Sequence, residues 1–380
     1  MDLEQLESEI EHYFNANVAL EIKSSPGTGK SEFIRYMQRK LSDRDGFEWG
    51  LGVAFLATYT PIDLMGYMVP QKVMIETLGE DGTVAQSERL RAVYTDPPWL
   101  YCEKGRPLNS YKRAIFFMDE YDKAEPDVKK TAAELMLHGA IGPHRLNKTV
   151  ARVAASNRNK DRSGSTKGFD FVINRRGELD VTNSFNGWEK WALRAGLPPI
   201  FIMYAKKYAS TVFSDGVPKE QGPWPTPRSY VMAVKFLMQR AQALASAGTP
   251  MGNYGVDDRL QRAIIEQELS GLIGPAASTE LCTWLAMRNN TPDFADIVKD
   301  PVNTPVPSHV DAKFLTVYEC AYNVNEATAA QVTRYMKRYP QEFHITFARA
   351  ACRRQKTLLL NPAMEAFIGD NVALMNAIAA

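Results

Sequence analysis

Residues Ser24–Ser31 read SSPGTGKS, and the reading of this stretch decides the fold. A phosphate-binding loop follows the pattern G-x-x-x-x-G-K-[ST]. Gly29, Lys30 and Ser31 fit it, while Ser24 stands where the pattern opens on glycine. The flanks are those such a loop requires. Val18–Lys23 (VALEIK) predicts a short strand, and Ser31–Leu41 carries Phe33, Ile34, Met37 and Leu41 at helical spacing. Glycine is needed where φ is positive or where a Cβ would strike a phosphate. Gly27 and Gly29 hold the tight part of the loop, and Ser24 lies at its entrance, where a small side chain fits. Ser25, Pro26, Gly27, Thr28 and Gly29 then form a concave wall that binds phosphate through its N–H groups and the helix N-terminus. Lys30 reaches the β- and γ-phosphates, and the Ser31 hydroxyl ligates Mg²⁺.

Working outward, VAFLAT (53–58), AIFFM (114–118) and VARVAA (150–155) are continuous apolar runs, the pattern of parallel strands covered on both faces. Glu125–His138 reads as a helix between two of them. The alternation predicts an α/β fold, an αβα P-loop core with a parallel sheet. AIFFM runs into Asp119 and Glu120. Asp119 at a strand's carboxyl end can hold the Mg²⁺ shell, and Glu120 can orient and deprotonate a water. Asn157 closes the third run, where its amide can position that water beside the γ-phosphate. Arg175 and Arg176 follow FVIN. Either can serve a neighbouring subunit as an arginine finger, or pair at the surface with Glu178 or Asp180. Arg228, in PTPRSY, opens the first helix after a proline-rich joint and can touch the γ-phosphate from a second domain.

Two segments interrupt the α/β rhythm. KVMIETLGEDGTVAQ around Asp81-Gly82 predicts a β-hairpin, giving an insert near 71–95, and GAIGPHRL gives a second near 139–148. GVPKEQGPWPTP (216–227) is dense in proline and glycine and predicts the joint. The domains expected are a nucleotide-binding core at 1–215 and a helical lid with a C-terminal helical extension at 226–380. Of 380 residues, 45% are apolar and 23% charged, which excludes a disordered chain. The net charge of +1 lacks the basic excess of a nucleic-acid binder. Cys102, Cys282, Cys320 and Cys352 show no metal spacing and predict reduced, buried thiols. The acidic, amphipathic start MDLEQLESEIEHYF is unlike a signal peptide, and no apolar run reaches membrane-spanning length. The expected location is cytoplasmic.

The order SSPGTGKS, FFMDE, AASN, NRRGELDV, WEKWAL, PTPRSY resembles the AAA+ ATPases of the MoxR type, close to the CbbQ, NorQ and GvpN kind, over about 21–240. RYPQEFHITFARAACRR also resembles the closing segment of such proteins. The resemblance implies ATP and Mg²⁺ bound between an αβα core and a helical lid, and a site closed by the next protomer of a homo-oligomeric ring, commonly a hexamer. It puts Lys30 and Ser31 on the phosphate-loop pair and Asp119 and Glu120 on the magnesium and water-activating acids. Asn157 falls on the first sensor, Arg228 on the second and Arg175 on the trans-acting finger. Arg176 stands where relatives carry an aromatic residue. It also implies a protein client, with a von Willebrand factor A domain protein as a common partner.

Three functions follow from these residues. The first is a ring-forming, Mg²⁺-dependent ATPase that remodels or activates another protein. The second is a nucleic-acid motor or loader, drawn from the basic stretch NRNKDRSGSTKGFDFVINRR (157–176) but lacking interleaved aromatics. The third is a nucleotide-gated module without hydrolysis, which the intact acid pair disfavours.

Overall fold

The computed structural model describes residues 1–78, 83–158, 176–218, 220–248 and 252–370. The chain divides into two compact units. One takes Met1–Gly187 and a short return that begins at Asp215. The other takes Trp188–Ser214 and the described residues from Glu220 onward.

The first unit opens with α1 (Leu3–Asn15), whose N-terminus is closed by a reciprocal Asp2–Gln5 capping box. Strand β1 (Leu20–Ser24) leads through the glycine loop into α2 (Lys30–Asp45). Strand β2 (Gly50–Phe55) and the short helix α3 (Pro61–Met65) follow. An antiparallel ribbon comes next, β3 (Met68–Leu78) and β4 (Val84–Tyr94). Then come β5 (Ala114–Asp119), α4 (Pro126–His138), the two-residue strands β6 (Ala140–Ile141) and β7 (His144–Arg145), β8 (Val150–Asn157) and β9 (Gly177–Asp180). The main sheet runs β2-β5-β8-β1-β9, with every neighbouring pair parallel. Strand β8, late in sequence, is therefore wedged between β1 and β5.

Side-chain parity explains why both sheet faces are covered. In β5, Ile115 and Phe117 join Ile22, Val153 and the apolar faces of α1 (Leu6, Ile10, Phe14) and α2. Ala114, Phe116 and Met118 point the other way, onto Val128, Ala132 and Leu135 of α4. Alternate residues of a strand face opposite sides, so a strand sandwiched between helices must be apolar throughout, as AIFFM is. Helix α2 has the strongly polar sequence KSEFIRYMQRKLSDRD, yet Ile34, Met37 and Leu41 are fully buried. At about 1.5–3 kcal/mol per buried side chain of this size, that stripe holds the helix more firmly than its intrinsic propensity.

An antiparallel strand pair stands in each of the two insert segments. The β3–β4 ribbon pairs Met68 with Tyr94 through to Leu78 with Val84; its Asp81-Gly82 turn lies outside the described residues. Trp99, after the ribbon, is 1% exposed and tilts over Phe116 with ring centroids 5.5 Å apart. Its indole N–H donates to the Leu64 carbonyl at 2.8 Å.

The second unit is mostly helical among its described residues. Residues Trp188–Ser214 belong with it, whereas the sequence reading assigns them to the core and puts the joint at 216–227. The reason is packing. The apolar helix Pro199–Lys207 is buried against Tyr230 of Pro227–Ser246 and Trp284 of Pro275–Ala286. Tyr204 stacks on Tyr230 with centroids 5.4 Å apart, the Tyr230 hydroxyl donates to the Phe201 carbonyl at 2.6 Å, and the Trp284 indole donates to the Ile200 carbonyl at 2.9 Å. A separate core gathers Val317, Val332, Tyr335, Phe347 and Phe367. All four cysteines are free and buried. No helix among the described residues is long and apolar enough to cross a membrane.

The α4-facing side of the first unit's sheet also carries a buried ion pair. Arg176 bridges Glu21 of β1, with side chains 4% and 3% exposed, and Ser156 of β8 donates to the same carboxylate. Removing one partner of a buried pair strands the other charge and costs about 3–5 kcal/mol. Glu21→Ala is therefore expected to lower the stability of the first unit by about that amount in denaturant unfolding. The apolar pair Glu21→Leu with Arg176→Met should recover most of the loss; equal losses in the single and double variants would contradict the pair's role.

Candidate functional site

The parallel register of β1 with β8 sets Ser24 beside Asn157, and β5 ends next door at Asp119. Three strand ends thus converge at the carboxyl edge of the sheet, where open α/β folds bind ligands. The loop closes over them. Gly27 and Gly29 have φ of 77° and 97°, a conformation that other residues rarely adopt. A Cβ on Gly29 would meet no atom within 4 Å, so backbone conformation alone selects glycine there. Ser24 needs no such freedom, because it is the last residue of β1. Thr28 ties the loop across itself by donating to the Ser25 carbonyl at 2.8 Å.

Lys30, 9% exposed, begins α2. Its ammonium donates to Ser24 Oγ at 2.8 Å, Asn157 Oδ1 at 3.2 Å and the Ser25 carbonyl at 3.4 Å. Ser31 Oγ donates to Asp119 Oδ2 at 2.5 Å. Gly29 is the N-cap of α2 and supplies no side-chain cap, so the first-turn N–H groups keep the anion-binding capacity of an open helix end. These features fit a polyphosphate. The Ser31 hydroxyl and Asp119 carboxylate are also the hard oxygen donors that Mg²⁺ takes, with phosphate oxygens and waters completing its shell. Among the described residues, no cluster of three or more His, Cys, Asp or Glu could hold a metal by itself.

Glu120 follows Asp119 with φ 53° and ψ 37°, a left-handed backbone. The Asp119 carboxylate accepts the Glu120 N–H at 2.9 Å, and Glu120 Oε1 accepts from Lys123 Nζ at 2.7 Å. That pair is substantially exposed, at 38% and 41%, and such pairs are worth about 0–1 kcal/mol. The Glu120 carboxylate can leave Lys123 cheaply.

Around these expected residues lies a set that sequence reasoning missed. Asp122, 6% exposed, accepts from Asn157 Nδ2 at 3.3 Å, so the Asn157 amide is oriented by Lys30 on one side and Asp122 on the other. Lys129 of α4 donates to the Asp122 carbonyl at 2.6 Å; burial holds its ammonium below the usual range, while the Asp122 and Glu21 carboxylates oppose that shift. Tyr121 lies under the Arg176 guanidinium, 5.2 Å from ring centroid to Cζ, and burial pushes its hydroxyl up to about 12. Arg158, directly after Asn157, forks onto Asp215 with bonds of 2.8 and 3.0 Å and also donates to Ser25 Oγ. Ser25 Oγ in turn donates to Asp215 at 2.9 Å.

The remaining expected residues are Arg175, Arg176 and Arg228. Arg176 is turned inward onto Glu21 of its own chain. Arg175 lies outside the described residues. Arg228 sits exposed in the first turn of the helix Pro227–Ser246, in the helical unit. A cation there opposes the helix dipole, so helix stability does not account for it. Of the basic stretch 157–176, the two described arginines, Arg158 and Arg176, are both committed to buried or part-buried carboxylates.

No protein-family model and no curated protein matches the sequence. Among solved structures, the chain is similar to a RuvB variant of Thermotoga maritima at 11% identity, over 80% of this chain and 77% of that one, with a TM-score of 0.36. It is also similar to a candidate ATPase of Cytophaga hutchinsonii at 10% identity, over 62% and 59%, with a TM-score of 0.32. NtrX from Brucella abortus in complex with ATP matches at 14% identity, over 99% and 67%, with a TM-score of 0.30. The chain spans less than two thirds of the Cytophaga protein. Its five-stranded parallel sheet, glycine loop and, among the described residues, mostly helical C-terminal part make an α/β P-loop core followed by helices.

The Arg158–Asp215 fork generates a stability prediction. Arg158 is 9% exposed in its side chain and Asp215 34%, so Asp215→Ala leaves a nearly buried guanidinium short of its carboxylate. A loss of about 1–3 kcal/mol is expected in unfolding, with Asp215→Asn losing less because one acceptor remains. No change in either variant would remove the fork from the forces that hold the loop.

Proposed function

We propose that the chain is a ring-forming, Mg²⁺-dependent ATPase of the MoxR-type AAA+ kind that converts hydrolysis into remodelling or activation of a partner protein. One observation carries the reading: at the first turn of α2, Lys30 bonds Asn157 at the end of β8 and Ser31 bonds Asp119 at the end of the adjacent β5. Lys30 takes up the charge of the phosphate chain. Ser31 and Asp119 would hold Mg²⁺, which would supply charge neutralisation to the phosphate chain. Glu120, once off Lys123, accepts the proton of the attacking water, and Asn157 aligns that water. The nucleotide-binding core is the α/β unit, Met1–Gly187 with the short return at Asp215, and the helical part from 226 on acts as the lid, with Arg228 as its nucleotide-sensing residue.

Arg175 serves the neighbouring protomer's site in this reading, while Arg176 anchors the same segment through Glu21. A division of labour of this kind suits an adjacent pair, since a guanidinium already paired in its own chain is poorly placed to reach another. The partner is a protein complex, with a von Willebrand factor A domain protein as the leading candidate, and the ring is a hexamer. The nucleic-acid reading loses support because Arg158 and Arg176 already face carboxylates.

Two inactive variants test the scheme together. Glu120→Gln should bind ATP and turn it over at least about 10²-fold more slowly, and Arg175→Ala should lose about 10³–10⁵-fold. Mixed in one assembly, they should recover part of the activity, because some interfaces then combine an intact Glu120 with an intact Arg175. Phosphate release that stays flat on mixing would exclude the trans arrangement, and fast turnover by Glu120→Gln would remove its assigned role.

A further inference from the structure

The residue that breaks the phosphate-loop pattern also accepts a hydrogen bond from its lysine. Ser24 Oγ lies 2.8 Å from Lys30 Nζ, against 3.2 Å for Asn157 Oδ1 and 3.4 Å for the Ser25 carbonyl. A hydroxyl has one proton to give and lone pairs to receive with. Ser24 spends its proton on the Ser25 carbonyl at 3.0 Å, which fixes its lone pairs toward the ammonium. The residue is 0% exposed, so bulk water has no access to take over the contact. Its backbone is extended and paired with β8, so nothing in the chain's conformation asks for glycine. Glycine here would remove an acceptor from a nearly buried cation and gain no freedom that the strand can use.

We propose that Ser24 is a positioning residue for Lys30. It holds the ammonium at the mouth of the loop, and the two longer bonds, to the Ser25 carbonyl and Asn157 Oδ1, are the ones exchanged for phosphate oxygens. The exchange frees the Asn157 carbonyl while its amide nitrogen stays on Asp122, so occupation of the loop is felt by Asn157. The exchange step rests on the triphosphate reading above; the anchoring of Lys30 by Ser24 does not.

Two measurements on the full chain separate these. In calorimetric titration with MgADP, Ser24→Ala and Ser24→Gly should each weaken binding about fivefold to tenfold, the worth of one hydrogen bond to a charged group at the lower end of its range. Unchanged or tighter binding in both variants would overturn the proposal. In thermal melts without nucleotide, Ser24→Ala should lower the transition by about 2–4 °C, and the same substitution should have almost no effect in a Lys30→Met background, where there is no ammonium to anchor. An equal loss in both backgrounds would show that Ser24 acts by packing alone and would overturn the proposal. If the unsubstituted chain binds neither MgADP nor MgATP, the triphosphate reading fails, and the melts still decide whether Ser24 holds Lys30.

Discussion

The parallel insertion of β8 between β1 and β5 is the constraint on which the candidate site depends. It is a sheet-order property, made of backbone hydrogen bonds. Because Ser24 pairs with Asn157 in that register, the loop that leaves β1 starts beside the amide that ends β8. Because β5 is the next strand over, the acid pair arrives on the same edge. Shifting β8 by one residue would turn Asn157 to the opposite sheet face, since strand side chains alternate, and Lys30 would lose that partner. The sheet also resists such a slip. Val153 and Ala155 lie in the α1–α2 core while Val150 and Ala154 lie in the α4 core, so both faces would have to repack at once.

The same alternation explains why charge is buried behind the site. Glu21 sits between Leu20 and Ile22, which face α1 and α2, and so it must point to the α4 side. There it meets Arg176, Ser156 and the approach of Lys129. A network of this kind contributes little net stability compared with apolar packing. What it does is tie β1, β8, the residue before β9 and α4 to one another just beneath Asn157 and Asp122. Burial of an ion pair at this depth makes the relative placement of those elements expensive to change, which keeps the strand ends in register with the loop.

Much of this was legible in the sequence. The glycine loop, the acid pair and the apolar strands were found because each is a local pattern: two glycines at positive φ, a strand buried on both faces, an amphipathic stripe. The two insert segments stand out in the sequence by their turn residues. What stayed hidden was pairing across the chain. Arg158 and Asp215 are 57 positions apart, and Glu21 and Arg176 farther still, so a basic stretch that looked solvent-facing contains two arginines turned inward. Asp122 was passed over because an acid after Asp119-Glu120 looks like a continuation of the same polar turn. Its burial comes from the tight turn Tyr121–Lys123 folding it back toward Asn157. The unit boundary was misplaced for a related reason. Proline and glycine at 216–227 mark a break in local order, but only the partners of Tyr204 and Trp284 show which side of that break the preceding helix packs on.

That same tight turn bears on how the candidate base is held. Glu120 is one of the few described non-glycine residues at positive φ, a conformation that costs about 1–3 kcal/mol. The cost is met locally: its N–H is bonded to the Asp119 side chain, and its carbonyl accepts the Lys123 N–H at 3.0 Å. An unstrained residue here would continue the direction of β5 and carry its side chain along the strand. The left-handed step instead turns the chain sharply after Asp119, so that two adjacent acids, which would point to opposite faces of a strand, can serve one edge of the sheet. Relieving the strain with glycine would remove the carboxylate itself. A backbone outlier at this acid, directly after a regular parallel strand, is the kind of local penalty that persists where the position of one side chain matters more than the comfort of its backbone.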